Sequence, residues 1–234
     1  MAIAGPTYLF DYFDIGGFGR QSDGGTWAAT EIGKALREDK LILPELKALS
    51  GWEPNNKLPH VFVADAAFPM SFNLMRPYPV NGRGGLTPER RVYNYRQSRA
   101  RRIVENAFGI LCHRWRILLN PLDMDREQVI NTVTACVILH NYLCITQGCS
   151  KELKELNRKR AQSDGKWKRL TAVSETLKRK PNRPSDFAVK TRDSFCRYFS
   201  SSIGSVRWQE KSAFGADPRE IFPGFGDQGG TESQ

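Results

Sequence analysis

Paired cysteine motifs are missing from the sequence. Its five cysteines are an odd number, no two of them form a C-x-x-C pair, and the three histidines are too scattered to complete a zinc motif with them. These absences exclude a zinc ribbon and a disulfide scaffold. They also predict a compartment in which cysteines stay reduced.

Long apolar runs are missing as well. No run of apolar residues approaches the roughly 20 that span a bilayer, and the start has no basic segment followed by a long apolar one. The sequence therefore predicts a soluble protein inside the cell, without a signal peptide. A length of 234 residues is enough for one main domain with tails.

Lysine is absent from residues 76–116, although the chain has a net charge of +10. This stretch holds ten arginines and only two acids, Glu89 and Glu105, whereas residues 150–180 carry a second, lysine-rich basic block. Arginine grips phosphate oxygens in pairs through its planar fork. The arginine block therefore predicts a surface that binds phosphates, with Arg96, Arg99, Arg101 and Arg102 as candidates. The alternative is a solvated helix face.

Hydrophobic patterning predicts a mixture of strands and helices. We expect a strand in residues 7–17, a helix capped by Thr26, a buried strand in 60–69 that ends at Asp65, and helices in 98–115 and 126–145, the second of them buried. Residues 192–209 are expected to form a short helix and a strand. Residues 70–97 are expected to form a loop rich in proline and glycine that carries much of the arginine block. On the helix in 98–115, Val104, Phe108, Leu111 and Trp115 are predicted to form one apolar stripe. His140 and Asn141, on the buried helix, are expected to be a hydrogen-bonded core pair.

Two carboxylates have unusual positions in this pattern. Asp65 closes the predicted buried strand, and Glu105 lies at the edge of the apolar stripe, one turn after Arg101. Both oxygens would suit Mg²⁺ or Mn²⁺, which prefer oxygen ligands. The alternatives are that Asp65 caps the turn after its strand and that Glu105 forms an ion pair with Arg101.

Several ordered motifs resemble one known family. The segments "LPHVFVADAAFPMSFNLMRPYP", "YNYRQSRARRIVENAFGILCHRWRIL" and "VTACVILHNYL" resemble the nuclease domain of PIF/Harbinger transposases and their domesticated derivatives. "YLFDYFDIGGFGRQSDGGTW" and "RDSFCRYFSSSIGSVRWQ" resemble further segments of the same family. The resemblance covers roughly residues 7–145 and 190–210.

The resemblance implies an α/β, RNase H-like fold, in which a mixed sheet is flanked by helices. It also implies a D-D-E triad of acids that bind the metal ions with which such proteins cut DNA strands. Asp65 matches the second aspartate of the triad, and Glu105 matches the glutamate. Both would be catalytic residues and ligands of a divalent metal, Mg²⁺ or Mn²⁺. The implied partners are DNA and a Myb-like DNA-binding protein. The implied location is the nucleus, with the cytoplasm as a second location.

The chain departs from the family pattern at the first aspartate. In the family this residue lies upstream in a D-G-T-H-like stretch, which this sequence does not contain. We therefore expect an N-terminally incomplete nuclease that lacks the first strand and has weak activity or none. Asp23 is the best-placed substitute as a metal ligand, although an aspartate after serine in a glycine loop usually bonds its own backbone.

The expected organisation has four parts. Residues 1–149 form a partial nuclease domain, 150–190 a basic linker, 191–210 a C-terminal family segment, and 211–234 a disordered tail. Residues 157–170 have the composition of a two-part nuclear import signal, with a solvated linker as the alternative. The leading functional hypothesis is a metal-dependent DNA endonuclease domain. The alternative is a non-catalytic, transposon-derived protein that binds DNA or a partner.

Overall fold

The structure, a computed structural model, describes residues 1–17, 23–52, 55–80, 85–162 and 184–214. The chain divides into two compact units: unit 1 comprises residues 1–34 and 101–182, and unit 2 comprises residues 35–100 and 183–234. The divisions at 34/35 and 100/101 fall inside helices. Both helices and strands are present, which confirms the mixed α/β class.

Unit 1 is built around an N-terminal hairpin and the end of a long helix. Its elements are β1 (Ala2–Ala4), β2 (Phe10–Phe13), α1 (Asp23–Ala29), the start of α2 (Glu31–Arg37), the C-terminal part of α3 (Pro88–Arg114), a 3₁₀ helix (Arg116–Leu119), α4 (Arg126–Gln147) and α5 (Ser150–Gln162). β1 pairs antiparallel with β2. Phe10 packs in the core with Ala107 and Leu111 of α3 and Cys136 and Val137 of α4.

Unit 2 contains four short strands and four helical segments. Its elements are the end of α2, β3 (Lys47–Ala48), β4 (Lys57–Leu58), β5 (Phe62–Val63), β6 (Leu74–Met75), the N-terminal part of α3, α6 (Asp186–Ser200) and α7 (Gln209–Phe214). β3 and β4 are antiparallel, whereas β5 and β6 are parallel. Buried Tyr78, Tyr93 and Cys196 form a hydrophobic core cluster of this unit.

The strands of the described residues form three separate two-stranded sheets. The predicted strand in 60–69 is shorter than expected, since β5 covers only Phe62–Val63 and Val63 is 40% exposed. The ladder ends here because the chain turns at Asp65, where the Phe68 N–H donates to the Asp65 carbonyl at 3.4 Å. The RNase H-like arrangement of one mixed sheet stays a prediction.

The helix expected in 98–115 begins ten residues earlier, at Pro88. Thr87 caps it: its hydroxyl accepts the Arg90 N–H at 3.4 Å, and Pro88 occupies the first helical position, where its missing N–H costs nothing. The predicted stripe is also partly wrong, because Phe108 is 44% exposed. The most buried apolar side chains of this part of the helix are Ala107, Ile110 and Leu111, at i, i+3 and i+4.

The predicted Thr26 cap is wrong, since α1 already begins at Asp23 and includes Thr26. The predicted strand after residue 200 is also wrong, because α6 (Asp186–Ser200) leads through turns directly into α7 within the described residues 184–214. Ser185 caps α6 by accepting the Ala188 N–H at 3.3 Å. The basic region that was expected to be a linker begins with helix α5, while residues 163–183 and the predicted tail after 214 lie outside the described residues.

Helix α4 is more exposed than its sequence suggests. Its exposed apolar side chains are Ile138, Leu139, Tyr142 and Ile145. It spans 22 residues, and an 18-residue window of it has a mean hydropathy of 1.5, so by length and composition alone it is long and apolar enough to cross a membrane. The core helix of a water-soluble protein can meet the same criterion. The expected burial is confined to the face that carries Cys136, Val137 and His140.

Cys144 and Cys149 are bonded to each other across the turn between α4 and α5, with their Cα atoms 5.4 Å apart. This pair contradicts the expectation that all cysteines are reduced. A spacing of five residues is outside the C-x-x-C pattern, but the turn after α4 brings the two backbones close enough for a disulfide. Cys112, Cys136 and Cys196 are free.

Candidate functional site

Asp65 follows β5 in unit 2 and is partly buried. Its Oδ1 accepts the N–H of Ala67 at 2.8 Å, which forms a turn closed by the side chain itself. Asp65 therefore caps the turn after its strand, as one of the two alternatives predicted. A carboxylate has lone pairs beyond the one used in this bond, so the turn leaves it able to bind a cation.

Gln97 on α3 anchors the strand ends that lead to Asp65. Its Nε2 donates to the carbonyl of Ala64, the residue before Asp65, and also lies 3.5 Å from the carbonyl of Met75 on β6. Gln97 is almost completely buried. A buried amide that binds both parallel strands fixes the backbone position of Asp65. No signal in the sequence marks this role, since Gln97 is one polar residue among the arginines.

Glu105 lies on the part of α3 that belongs to unit 1 and is exposed. Its Oε1 is 3.5 Å from Nη2 of Arg101, one helical turn earlier. The expected i, i+4 ion pair is therefore present. An exposed pair of this kind contributes only about 0.3–0.5 kcal/mol, so it does not hold the carboxylate firmly. Arg102, which follows Arg101 in the sequence, is exposed.

The two carboxylates belong to different compact units, Asp65 to unit 2 and Glu105 to unit 1. Asp23, the third candidate ligand, is the exposed first residue of α1 in unit 1. Across the described ranges of the chain, no three His, Cys, Asp or Glu side chains form a group that could hold a metal ion. Each of the three acids offers carboxylate oxygens of the kind that Mg²⁺ or Mn²⁺ prefers, and their meeting at one ion stays a prediction.

Arg96 and Arg99 project from α3 in unit 2 and meet the same tryptophan. The guanidinium carbon of Arg99 lies 4.1 Å from the ring centre of Trp208, and that of Arg96 lies 5.7 Å from it. Arg99 is exposed, whereas Arg96 is partly buried. The positive charges are therefore held on an aromatic surface, a contact worth about 0.5–2 kcal/mol.

Arg96 is further engaged within the protein. Its Nη1 donates to Oε1 of Gln209 at 2.8 Å and approaches the Gly204 carbonyl at 3.4 Å. Burial lowers the pKa of Arg96, a change that the charge of Arg99 reinforces and Tyr198 opposes. These contacts dock α3 against the α6–α7 region and leave Arg99 as the more accessible of the two arginines.

His140 and Asn141 of α4 bind the N-terminal hairpin of unit 1. His140 is fully buried, and its Nε2 lies 2.8 Å from the carbonyl of Tyr8. Asn141 accepts the Phe10 N–H and donates to the Phe10 carbonyl, both at 2.9 Å. The interpretation of this dipeptide as a hydrogen-bonded core pair agrees with these contacts. It anchors the hairpin and leaves no nitrogen facing solvent for catalysis.

A family model described as DDE superfamily endonuclease matches residues 1–141. Comparisons with curated proteins and with solved structures find no significant match. The matched residues include Asp65, Gln97 and Glu105, and they end at Asn141.

Proposed function

Because the chain belongs to the DDE superfamily endonucleases, we propose that it is the nuclease domain of a Harbinger-type transposase or of a protein derived from one. The family match over residues 1–141, which include the motifs of Asp65 and Glu105, is the observation that carries this proposal. DNA is the substrate class that the family implies, and the proposed reaction is hydrolysis of a phosphodiester bond. The proposed fold of the domain is RNase H-like.

Asp65 and Glu105 are the proposed catalytic residues, each giving a carboxylate oxygen to a divalent metal, Mg²⁺ or Mn²⁺. Enzymes of this superfamily generally use such metals, which stabilise the charge on the attacking and leaving oxygens of a phosphodiester when bound. Two acids are fewer than the triad requires, and we propose Asp23 as the third. With this substitute, the activity of the chain is expected to be weak or absent.

The remaining roles fall to residues that position these acids and the DNA. Gln97 holds the backbone before Asp65 through the Ala64 carbonyl. Arg101 pairs with Glu105 in the free protein and is proposed, with Arg96, Arg99 and Arg102, to bind DNA phosphates. Arginine forks suit this task because they donate two parallel hydrogen bonds to one phosphate.

A plasmid-nicking assay tests the proposal. Supercoiled DNA is incubated with the protein and Mg²⁺ or Mn²⁺, and Glu105→Gln is compared with Glu127→Gln, a change at an exposed acid of α4. Slow nicking that needs the metal and is lost only in Glu105→Gln supports the endonuclease. Nicking that persists in Glu105→Gln contradicts the assignment of this residue.

The second candidate function is a non-catalytic protein that binds DNA or a partner. It is favoured by the Arg99–Trp208 contact, which holds a positive charge at an exposed position of α3. This function predicts DNA binding that needs no metal and weakens steeply with salt. About 6–10 phosphate contacts would cost a factor of about 10³–10⁵ in affinity between 50 and 200 mM salt.

Two further proposals concern the cellular setting. We propose a nuclear location, with the cytoplasm as a second location, on the basis of the basic residues in 157–170, of which 163–170 lie outside the described residues. We also propose a Myb-like partner that supplies DNA recognition. Co-precipitation from nuclear extract with and without nuclease digestion would separate a protein partner from a contact bridged by DNA.

A further inference from the structure

Arg192 of α6 is a buried charge without a protein acceptor among the described residues. Its exposed fraction is 9%, and its Nε is buried without a hydrogen-bond partner. It lies against an aromatic ring, since its guanidinium carbon is 3.9 Å from the ring centre of Tyr78. Arginine stays charged under all ordinary conditions.

The aromatic contact does not offset this burial. Removing an ion from water costs several kcal/mol even after the surroundings relax, whereas a cation–π contact returns about 0.5–2 kcal/mol. Buried arginines are therefore normally paired with an anion. In the described part of unit 2, no carboxylate forms a salt bridge with Arg192.

Two more arginines lie around the same place in unit 2. The guanidinium carbon of Arg90 is 4.9 Å from the ring centre of Tyr78. Arg76 donates from Nη1 to the Phe68 carbonyl at 3.3 Å, and its pKa is lowered by burial and by the charge of Arg192. Like charges gathered in this way repel one another unless an anion joins them.

The nearby acids do not neutralise this cluster. Asp193 accepts the hydroxyl hydrogen of Tyr78 at 2.5 Å, so one of its oxygens is already engaged. Glu89 is exposed at the start of α3. Neither acid forms a salt bridge with Arg76, Arg90 or Arg192 in the described residues, so these three positive charges have no direct ionic partner there. The imbalance leaves room for one further negative group.

We infer that Arg192, Arg76 and Arg90 form a binding site for the oxygens of a phosphate group, backed by the ring of Tyr78. Arginine forks match phosphate oxygens in pairs, and a phosphate would supply the acceptors that Arg192 lacks. The site uses neither Asp65 nor Glu105, so it goes beyond the proposed function. Inorganic phosphate and the backbone of a nucleic acid both offer such phosphate oxygens, and the binding experiments below distinguish the two ligands.

Thermal unfolding in the presence of inorganic phosphate tests the site. Phosphate is titrated at constant ionic strength against chloride with the wild-type chain, Arg192→Met and Arg197→Met, the last being an exposed arginine of the same helix. Phosphate should raise the Tm of the wild type and of Arg197→Met but not that of Arg192→Met. Without phosphate, Arg192→Met should be at least as stable as the wild type, because it removes an uncompensated charge.

A merely structural Arg192 would behave differently. In that case Arg192→Met loses stability with or without phosphate, and the wild type responds to phosphate no more than to chloride; either result overturns the inference. Arg76→Gln provides a second variant at a less buried position. It should weaken phosphate binding about tenfold, equivalent to the loss of about 1.4 kcal/mol, and an unchanged affinity would also overturn the inference.

Binding of a short DNA duplex identifies the source of the phosphate. If the site takes the nucleic-acid backbone, Arg192→Met should weaken duplex binding about tenfold and inorganic phosphate should compete. If it takes free phosphate, duplex affinity is unchanged while the Tm response remains; both results support the site. Glu105→Gln should leave the Tm response to phosphate intact, so failure of the nuclease proposal is distinguishable from failure of this one.

Discussion

The side-chain amide of Asn141 binds both backbone polar groups of Phe10. Asn141 Oδ1 accepts the Phe10 N–H and its Nδ2 donates to the Phe10 carbonyl, each at 2.9 Å, across 131 positions of sequence. The contact ties strand β2 to helix α4 beside the core in which Phe10 packs. It therefore couples the first strand pair of unit 1 to its longest complete helix.

We expect Asn141→Ala to destabilise unit 1 by about 2–4 kcal/mol, since the N–H and the carbonyl of Phe10 both lose their partner. Urea unfolding measures the change. Asn131→Ala, at an exposed position of the same helix, is the matched control and should lie within about 0.5 kcal/mol of the wild type. Equal effects of the two changes would contradict the anchoring role of Asn141.

His140 should make stability depend on pH. Burial lowers its pKa from the usual 6.5, a change that Arg114 reinforces and that Tyr8 and Glu152 oppose. Because the unfolded chain takes up the proton more readily, the contribution of neutral His140 is complete above about pH 6.5 and is lost as the pH falls below that value.

The comparison of wild type with His140→Gln isolates this effect. Between about pH 7 and pH 5, the wild type should lose more unfolding free energy than the variant, by at most about 1.4 kcal/mol per pH unit for one proton. Parallel pH profiles for wild type and His140→Gln would rule out a buried neutral histidine.

Gln97→Leu should destabilise unit 2 by about 1–3 kcal/mol, because the buried carbonyl of Ala64 loses its donor while the apolar volume is kept. Gln128→Leu, at an exposed site on α4, is the control. Amide hydrogen exchange gives a local readout: the Ala64 N–H, bonded to the Met75 carbonyl at 2.9 Å, should exchange faster only in Gln97→Leu. Unchanged protection there would show that Gln97 does not fix the strand ends.

Arg99 offers a test of the phosphate-binding surface. Arg99→Gln should weaken binding to a DNA duplex and reduce the slope of log affinity against log salt by about 0.9, the value for one phosphate contact. Arg197→Gln, on an exposed face of α6, should change neither quantity. If the two variants have the same salt slope as the wild type, Arg99 does not contact a phosphate.

The sequence predicted those parts of the fold that depend on interactions between residues close together in the chain. Helix α4 and strand β2 were expected because period and composition mark them, and the pairing of His140 and Asn141 with core partners followed from polar residues on an apolar helix. The start of α3 at Pro88 was missed although the Thr-Pro-Glu sequence carries a capping signal. Here the proline and glycine content of residues 70–97 suggested a loop and outweighed the cap.

The remaining features depend on contacts between distant residues. The length of β5 is set by where Asp65 turns the chain, and the role of Gln97 appears only when α3 meets β5 and β6. Likewise, nothing near Arg192 in sequence reveals that it is buried against Tyr78, 114 positions earlier. The candidate ligands Asp65 and Glu105 came from motif resemblance, and their shared role in metal binding stays a prediction.

Titration of the protein with Mn²⁺, followed by electron paramagnetic resonance of the free ion, tests the central claim most directly. The wild type is compared with Asp65→Asn, Glu105→Gln and the control Glu127→Gln. If Asp65 and Glu105 bind one metal site, each change should weaken Mn²⁺ binding at least about tenfold, since even the loss of an outer-shell partner costs 10–100-fold. The control should bind as the wild type does. Equal Mn²⁺ affinity in all four proteins would contradict the account.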